Sequence, residues 1–475
     1  MIKELRNNTI WLLLAQFTTI ITSLILVLVL AKHLGPRYNG IYNYANSIVG
    51  IFGIFVDFGM STVLIRDISR DLTKAKKYLD NIILLKIIIG MIILFFIVLS
   101  SFFIKQYKDI TYIMLFLGLY NILSGFNILL RGIFRSHRKM VYEAYNVFFE
   151  KILLLIFGFI ALFFYSSLLL YTIVFASTAF IGTLIAIFIV RSKFTKFSFH
   201  INYEFSKYII KEIWPYGLSS IIVTVYFTID QIMLGSMKPI VQVGYYALAR
   251  SGTGVVTSII GVFVGVLFPS FAEYFKNNRK QFTDLLNNSI KFMAILGIIF
   301  ITEMMISSKE FVLSIFGTRY TGSIIPLEIL SIATGFIFIN ALIGNVFGAI
   351  DKQKFLIKGL LISMIINIIS NLILIQYLSA VGSAISAVLT ELFIGIYAYT
   401  VLKRDVDIHF LQYTIKPIIA AAIIYIISLE FTNINIFALS ISGVVVYFTI
   451  LIITRDISIK FIKETLNFKK YENSN

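Results

Sequence analysis

The sequence predicts an all-α integral membrane protein. It has about fourteen spanning helices, arranged as two six-helix lobes related by a pseudo-two-fold axis along the membrane normal, with two further helices after them. Three observations carry this prediction: the scarcity of charge, the spacing of apolar runs, and the alternation of Lys and Arg between loops. Of 475 residues, 59% are hydrophobic and 14% charged, and the mean hydropathy is +0.91. A soluble domain carries about 25% charged residues because its surface must face water. Lipid is therefore the natural solvent for most of this chain.

A spanning helix needs about 20 mostly apolar residues. Such runs fall at 10–31, 41–65, 82–104, 110–130, 144–165, 168–190, 212–234, 244–271, 288–308, 324–349, 355–377, 380–402, 415–430 and 436–454. The first run is too long for a signal peptide and no small-residue cleavage site follows it, so it reads as a retained helix. The fifth and sixth runs, and the eleventh and twelfth, are separated only by tight turns near 166 and 379. With the N-terminus inside, the would-be cytoplasmic segments hold 31 of the 41 Lys and Arg residues and the outer segments hold 7. Lys86, Lys151 and Arg250 remain within helices. A missed or extra helix would reverse the alternation beyond it, so the pattern predicts fourteen spans with both termini cytoplasmic in the cell membrane.

The same numbers exclude other classes. A net charge of +17 follows from cytoplasmic loops that collect cations and favour anionic headgroups, and no basic domain stands outside the membrane segments to bind nucleic acid. No loop exceeds about twenty residues, which leaves no room for the extramembrane domain a membrane glycosyltransferase or polymerase needs. The chain is thus expected to move something across a bilayer rather than catalyse. Cysteine is absent, and His33, His137, His200 and His409 are each isolated, so no metal or cofactor is expected.

An internal repeat is legible. Leu34-Gly35-Pro36 through Gly40-Ile41-Tyr42 follows the first span, and Leu234-Gly235-Ser236-Met237-Lys238-Pro239 with Gly244-Tyr245-Tyr246 follows the seventh. Both turn on Gly or Pro and restart on Gly-x-Tyr. Arg131 to Lys139 ends the fourth span much as Gly348 to Lys354 ends the tenth. Six helices per unit return the chain to one side, so the repeats share an orientation. This sets a first lobe at 1–195, a second at 196–404, and helices 13 and 14 with a basic cytoplasmic tail at 405–475.

These residues also carry a resemblance. The stretch from Leu34 to Tyr42, then Asp57-Phe58-Gly59-Met60 and Ile65-Arg66, resembles the opening of the polysaccharide-biosynthesis flippases, the O-antigen and teichoic-type translocases of the multidrug/oligosaccharidyl-lipid/polysaccharide exporter superfamily. Thr228 to Gly235 with Gly244 to Ala247 is similar to the family's passage between helices seven and eight. Phe316 to Tyr320, Asp351 to Lys354 and Ala380 to Ala387 are similar to its later landmarks. The resemblance implies a V-shaped cavity between two lobes and alternating access for a lipid-linked oligosaccharide. It also implies membrane lipids and glycan-assembly proteins as partners. A multidrug or small-molecule antiporter coupled to cations is the other reading of the same architecture. The family's flippases often carry several cations in the central cavity; here the clearly intramembrane arginine is Arg250.

An ionisable residue at helix depth costs a few kcal/mol and is a functional candidate by default. Asp57 is expected either to bind a coupling proton or sodium ion or to hydrogen-bond a neighbouring helix. Asp230 and Arg250 flank one outer turn at similar depth, which suggests an ion pair; alternatively Arg250 meets a substrate phosphate through its planar fork. Glu391 with Asn367 and Asn371 forms a possible polar cluster, for ion coupling or only for holding spans 11 and 12 together. Arg66, Arg131, Arg135 and Lys139 either snorkel as topology markers or line the inner mouth and attract a diphosphate. Glu303 and Glu328 fall near outer helix ends and receive no role.

Overall fold

The computed structural model describes residues 2–104, 109–198, 202–430, 436–454 and 456. His200 and the basic C-terminal stretch from Arg455 onward, Asp456 apart, lie outside the described residues. Among the described residues there are α-helices and two short 3₁₀ turns, with no strand. Eleven helices among the described residues are long and apolar enough to cross a membrane, and Ala438–Ile453 is a shorter apolar helix. A multi-pass, all-helical membrane protein is the result the composition demands, because only a helix satisfies its own backbone in hydrocarbon.

The chain divides into two compact units, Met1–Ala247 and Leu248–Asn475. The first holds α1 (Ile2–Asp57), α2 (Met60–Arg70), α3 (Ala75–Ser101), α4 (Ile110–Ser136), α5 (Met140–Phe163), α6 (Leu168–Lys193), α7 (Tyr203–Met237) and the start of α8 (Ile240–Asn277). Its core is built from Met60, Leu64, Leu79, Ile133, Val190 and Ile209 with their neighbours, drawn from α2, α3, α4, α6 and α7.

Helix α1 is two helices in direct succession, broken at Gly35. Gly35 lies at φ 74 and is followed by Pro36, a residue suited to the first turn of a new helix. The first half of α1 runs beside α5, with Trp11 on Tyr145 and His33 on Phe163. The second half runs beside α4, where Gly53 meets Asn121 and Val56 meets Gly125. Because α4 and α5 are antiparallel across Arg135–Glu143, the chain reverses at Gly35. The sequence run at 41–65 is itself broken: Phe58 and Gly59 have φ of 42 and 87, and α2 starts afresh at Met60. Hydropathy passes smoothly over that break, whereas a left-handed glycine cannot continue a helix.

The second unit holds the rest of α8, then α9 (Arg279–Phe316), α10 (Ile324–Ala349), α11 (Gln353–Leu402), α12 (Phe410–Glu430) and α13 (Ile436–Ile453). One core joins α8 through α11 around Phe271, Phe282, Leu342 and Leu402. A second joins α9 to α12 and α13 through Ile295, Ala420, Ile424, Tyr447 and Leu451. Helices α9 and α10 cross closely, since a Cβ on Gly297 would lie 3.1 Å from the Gly335 carbonyl oxygen; small residues allow such approach in lipid. Helix α11 also folds back. Ser379 has φ 52, Asn367 bonds Thr390 at 3.3 Å, and a Cβ on Gly382 would lie 2.3 Å from the Leu374 carbonyl oxygen.

Candidate functional site: buried charge in the two units

In the first unit, the charges at helix depth are arranged in pairs. Asp57 Oδ1 accepts from Lys86 Nζ at 2.5 Å, and the same ammonium donates to the Gly125 carbonyl at 2.7 Å. Ser61 adds a hydroxyl to Asp57. Asp57 ends α1 and Ser61 lies in the first turn of α2, on the far side of the break at Phe58 and Gly59.

Four residues of the α4–α5 hairpin, Arg131, Asn146, Glu150 and Lys151, form a longer network. Arg131 donates to Asn146 at 2.7 Å and to Glu150 at 2.5 Å, while Lys151 donates to the other Glu150 oxygen at 2.9 Å. Asn146 passes the chain on to the Gly182 carbonyl of α6 at 2.8 Å. Arg135 binds Glu143 through both nitrogens, at 2.8 and 2.5 Å. The acids are buried, but the Arg135 side chain is 48% exposed. Arg66 binds Asp67 at 2.7 Å and Glu212 of α7 at 2.9 Å, and Tyr78 donates to Asp67 at 2.5 Å. Arg66, Arg131 and Arg135 are thus each paired with carboxylates.

Asp230 on α7 is buried and accepts from the Tyr246 hydroxyl of α8 at 2.7 Å. In the second unit, Asn340 of α10 donates to Glu391 at 2.8 Å, and Asn371 donates to Asn367 at 3.0 Å. Asn367, Asn371 and Glu391 are all buried on the two arms of α11, while Arg250 is half-buried on α8.

Sequence reasoning missed Glu143 and Glu150, and it assigned Lys86 and Lys151 no partners. A signal for the first pair existed. Arg131 and Arg135 are one turn apart on α4, Glu143 and Glu150 are two turns apart on α5, and a short turn joins the helices. Antiparallel packing brings such faces together. No comparable signal ties Lys86 to Asp57, because they belong to helices that meet only in the fold.

Paired charges held at depth inside a bundle of apolar helices define a polytopic membrane protein with polar sites within its spans. The chain belongs to the polysaccharide biosynthesis protein family, whose sequence profile matches residues 5–275. A second profile, lipid II flippase MurJ, matches residues 231–454. A curated relative, the probable low-salt glycan biosynthesis flippase Agl15 of Haloferax volcanii, is 25% identical over 189 residues. That match takes in 40% of this chain and 39% of the relative's length. Among solved structures, lipid II flippase MurJ in an inward closed conformation has a TM-score of 0.77 at 16% identity, covering 93% of this chain and 98% of that one. An inward-facing multidrug resistance MATE family transporter of the MOP superfamily has a TM-score of 0.62 at 14% identity, covering 84% and 99%. These two likenesses show the fold.

Proposed function

We propose that the chain is a flippase that carries a lipid-linked oligosaccharide, on a polyprenyl phosphate or pyrophosphate, across the cytoplasmic membrane by alternating access. Its product would feed cell-surface polysaccharide or glycoprotein assembly, with membrane lipids and glycan-assembly proteins as partners and no nucleic acid. The observation that carries this reading is the pair of family matches, which overlap at residues 231–275 and together run from residue 5 to 454. In this reading each of the two reversing helices, α1 and α11, supplies two spans. That gives fourteen spans with both termini cytoplasmic, lobes at 1–195 and 196–404, and two last helices before a basic tail.

Arg250, Arg66, Arg131 and Arg135 would meet the phosphates of the carrier, since a guanidinium fork suits phosphate oxygens. A proton or sodium ion would couple transport at Asp57, Glu391 or Asp230, beside Asn367 and Asn371. An ion pair between Asp230 and Arg250 would satisfy both charges whether or not substrate is bound, and Arg250 meeting a phosphate is the alternative to that pair. A cation-coupled multidrug or small-molecule antiporter is the second reading, favoured by the fold's likeness to the MATE transporter but at the lower TM-score of 0.62.

The test is glycan display in a flippase-null strain expressing this chain, together with flipping of a labelled glycolipid in vesicles of the purified protein. Restored display and accelerated flipping are expected. Export of a cationic dye with no glycolipid movement would overturn the flippase reading in favour of the antiporter.

A further inference from the structure

Every buried or half-buried carboxylate described so far has a donor. Asp57 has Lys86, Glu143 has Arg135, Glu150 has Arg131 and Lys151, Asp230 has Tyr246 and Glu391 has Asn340. Glu303 does not share this property. It lies on α9 with 9% of its surface exposed, and neither carboxylate oxygen has a hydrogen-bond partner. It faces a cavity of about 460 Å³ shared with Met304, Ser307 and Phe311 of its own helix and with Ser440, Ile441 and Val444 of α13.

The hydroxyls in this cavity leave the carboxyl unserved. Ser307 donates to the backbone carbonyl of Glu303 at 2.6 Å, and Ser440 lies near enough to act on the carboxyl without completing a hydrogen bond to either oxygen. Gly443 of α13 makes the space the carboxyl occupies: a Cβ there would come within 2.8 Å of Oε1 and 3.3 Å of Ile424 on α12. The surrounding charges lie elsewhere. Lys309 and Glu310 follow on α9, Glu328 of α10 is occupied by Ser308 at 2.6 Å, and Glu430 ends α12. None of them lines the cavity.

An ionised carboxylate in such a place loses its hydration and gains no counter-charge. The effective penalty is several kcal/mol per ion, and a group in that position neutralises instead. We infer that Glu303 is a proton-binding site, protonated while α9 and α13 are packed as they are here and discharged when water reaches the cavity. The step is balanced: a proton from water joins one carboxylate oxygen, and the same proton leaves on opening. Protonation rests on the geometry alone; its use as a coupling event rests on the transport reading above. The sequence placed Glu303 at a solvated helix end, and the packing of α13 over it removes that solvation.

The test uses the full chain in lipid bilayers. Infrared spectra of wild type and Glu303→Gln at neutral pH should differ by the carbonyl stretch of one protonated carboxylic acid, lost in the variant. An unchanged protonated-acid band would overturn the proposal. Gln imitates the neutral acid, so the variant should melt as wild type does; Glu303→Asp should retain a shifted band and guards against a folding defect in Gln. In vesicles, an imposed proton gradient should speed glycolipid flipping severalfold in wild type and in Glu303→Asp, and leave Glu303→Gln unmoved. Equal stimulation of Glu303→Gln would overturn the coupling role. If the infrared band is present while wild type flips no glycolipid, the proton site stands and the flippase reading falls.

Discussion

Lys86 has no exposed surface, and its ammonium is satisfied only by Asp57 and the Gly125 carbonyl among the bonds described above. Removing one member of a buried pair leaves an uncompensated charge and costs roughly 3–5 kcal/mol. The Asp57 side chain keeps 26% of its surface exposed, which sets the expected loss at the low end of that range. Asp57→Asn should therefore lower the melting temperature and yield of the purified protein, and Asp57→Asn combined with Lys86→Met should recover most of the loss. A single Asn variant that melts like wild type would release Asp57 from its structural duty and leave it free as a coupling carboxylate. Depth along a span was enough to single out Asp57 in the sequence. Its partner was not legible, because a lysine 29 residues away becomes a neighbour only when α1, α3 and α4 pack.

At the level of helices, the two halves of the sequence repeat touch each other. A Cβ on Gly40 would lie 2.1 Å from the Ile240 carbonyl oxygen, and one on Gly244 would lie 1.9 Å from that of Pro36. Asn39 donates to the Gly244 carbonyl at 3.2 Å across the same crossing. The matched Gly-x-Tyr motifs lie about one turn inside their helices rather than at the starts, and they form the contact surface that lets two backbones meet. The repeat was visible in the residues; that its halves pack together was not, since similarity of two segments says nothing of the distance between them. Overpacking costs typically about 1–3 kcal/mol when side chains can yield, and more when backbone must move. Gly244→Ala should accordingly destabilise the protein strongly. Gly254→Ala is the control on the same helix: nothing lies within 4 Å of its Cβ position, and a helical Gly-to-Ala change there should gain up to about 1 kcal/mol. Thermal melting of both variants reads the difference, and equal melting would show that the crossing relaxes freely.

For the molecule as a whole, the membrane class was legible because composition alone decides the solvent, and helix positions followed from runs of apolar residues. The span count is harder to read from helices, because α1 and α11 each hold two helices that abut at one non-helical residue, Gly35 and Ser379, with no loop between them. Orientation rests on a different kind of argument. Lys and Arg resist translocation and stay on the cytoplasmic side, so the loops that gather them report which face they occupy. Lys74 belongs to a segment with four other cations between Arg66 and Lys77, Lys280 to one between Lys276 and Lys291, and Lys238 stands alone in the turn between α7 and α8. The chain contains no cysteine, so a single introduced thiol reports its own location without background. Lys74 and Lys280 are exposed to solvent and Lys238 is half-buried, which gives a reagent access at all three. In intact cells, an impermeant maleimide should label Lys238→Cys and spare Lys74→Cys and Lys280→Cys, while all three should label after the membrane is opened. Because Lys74 lies in the α2–α3 turn and Lys280 in the first turn of α9, far apart in sequence, both must be protected for the alternation to hold along the chain. Labelling of both from outside would invert the orientation. Labelling of Lys280→Cys alone would place an odd number of crossings between the two sites, and with it a span count other than fourteen.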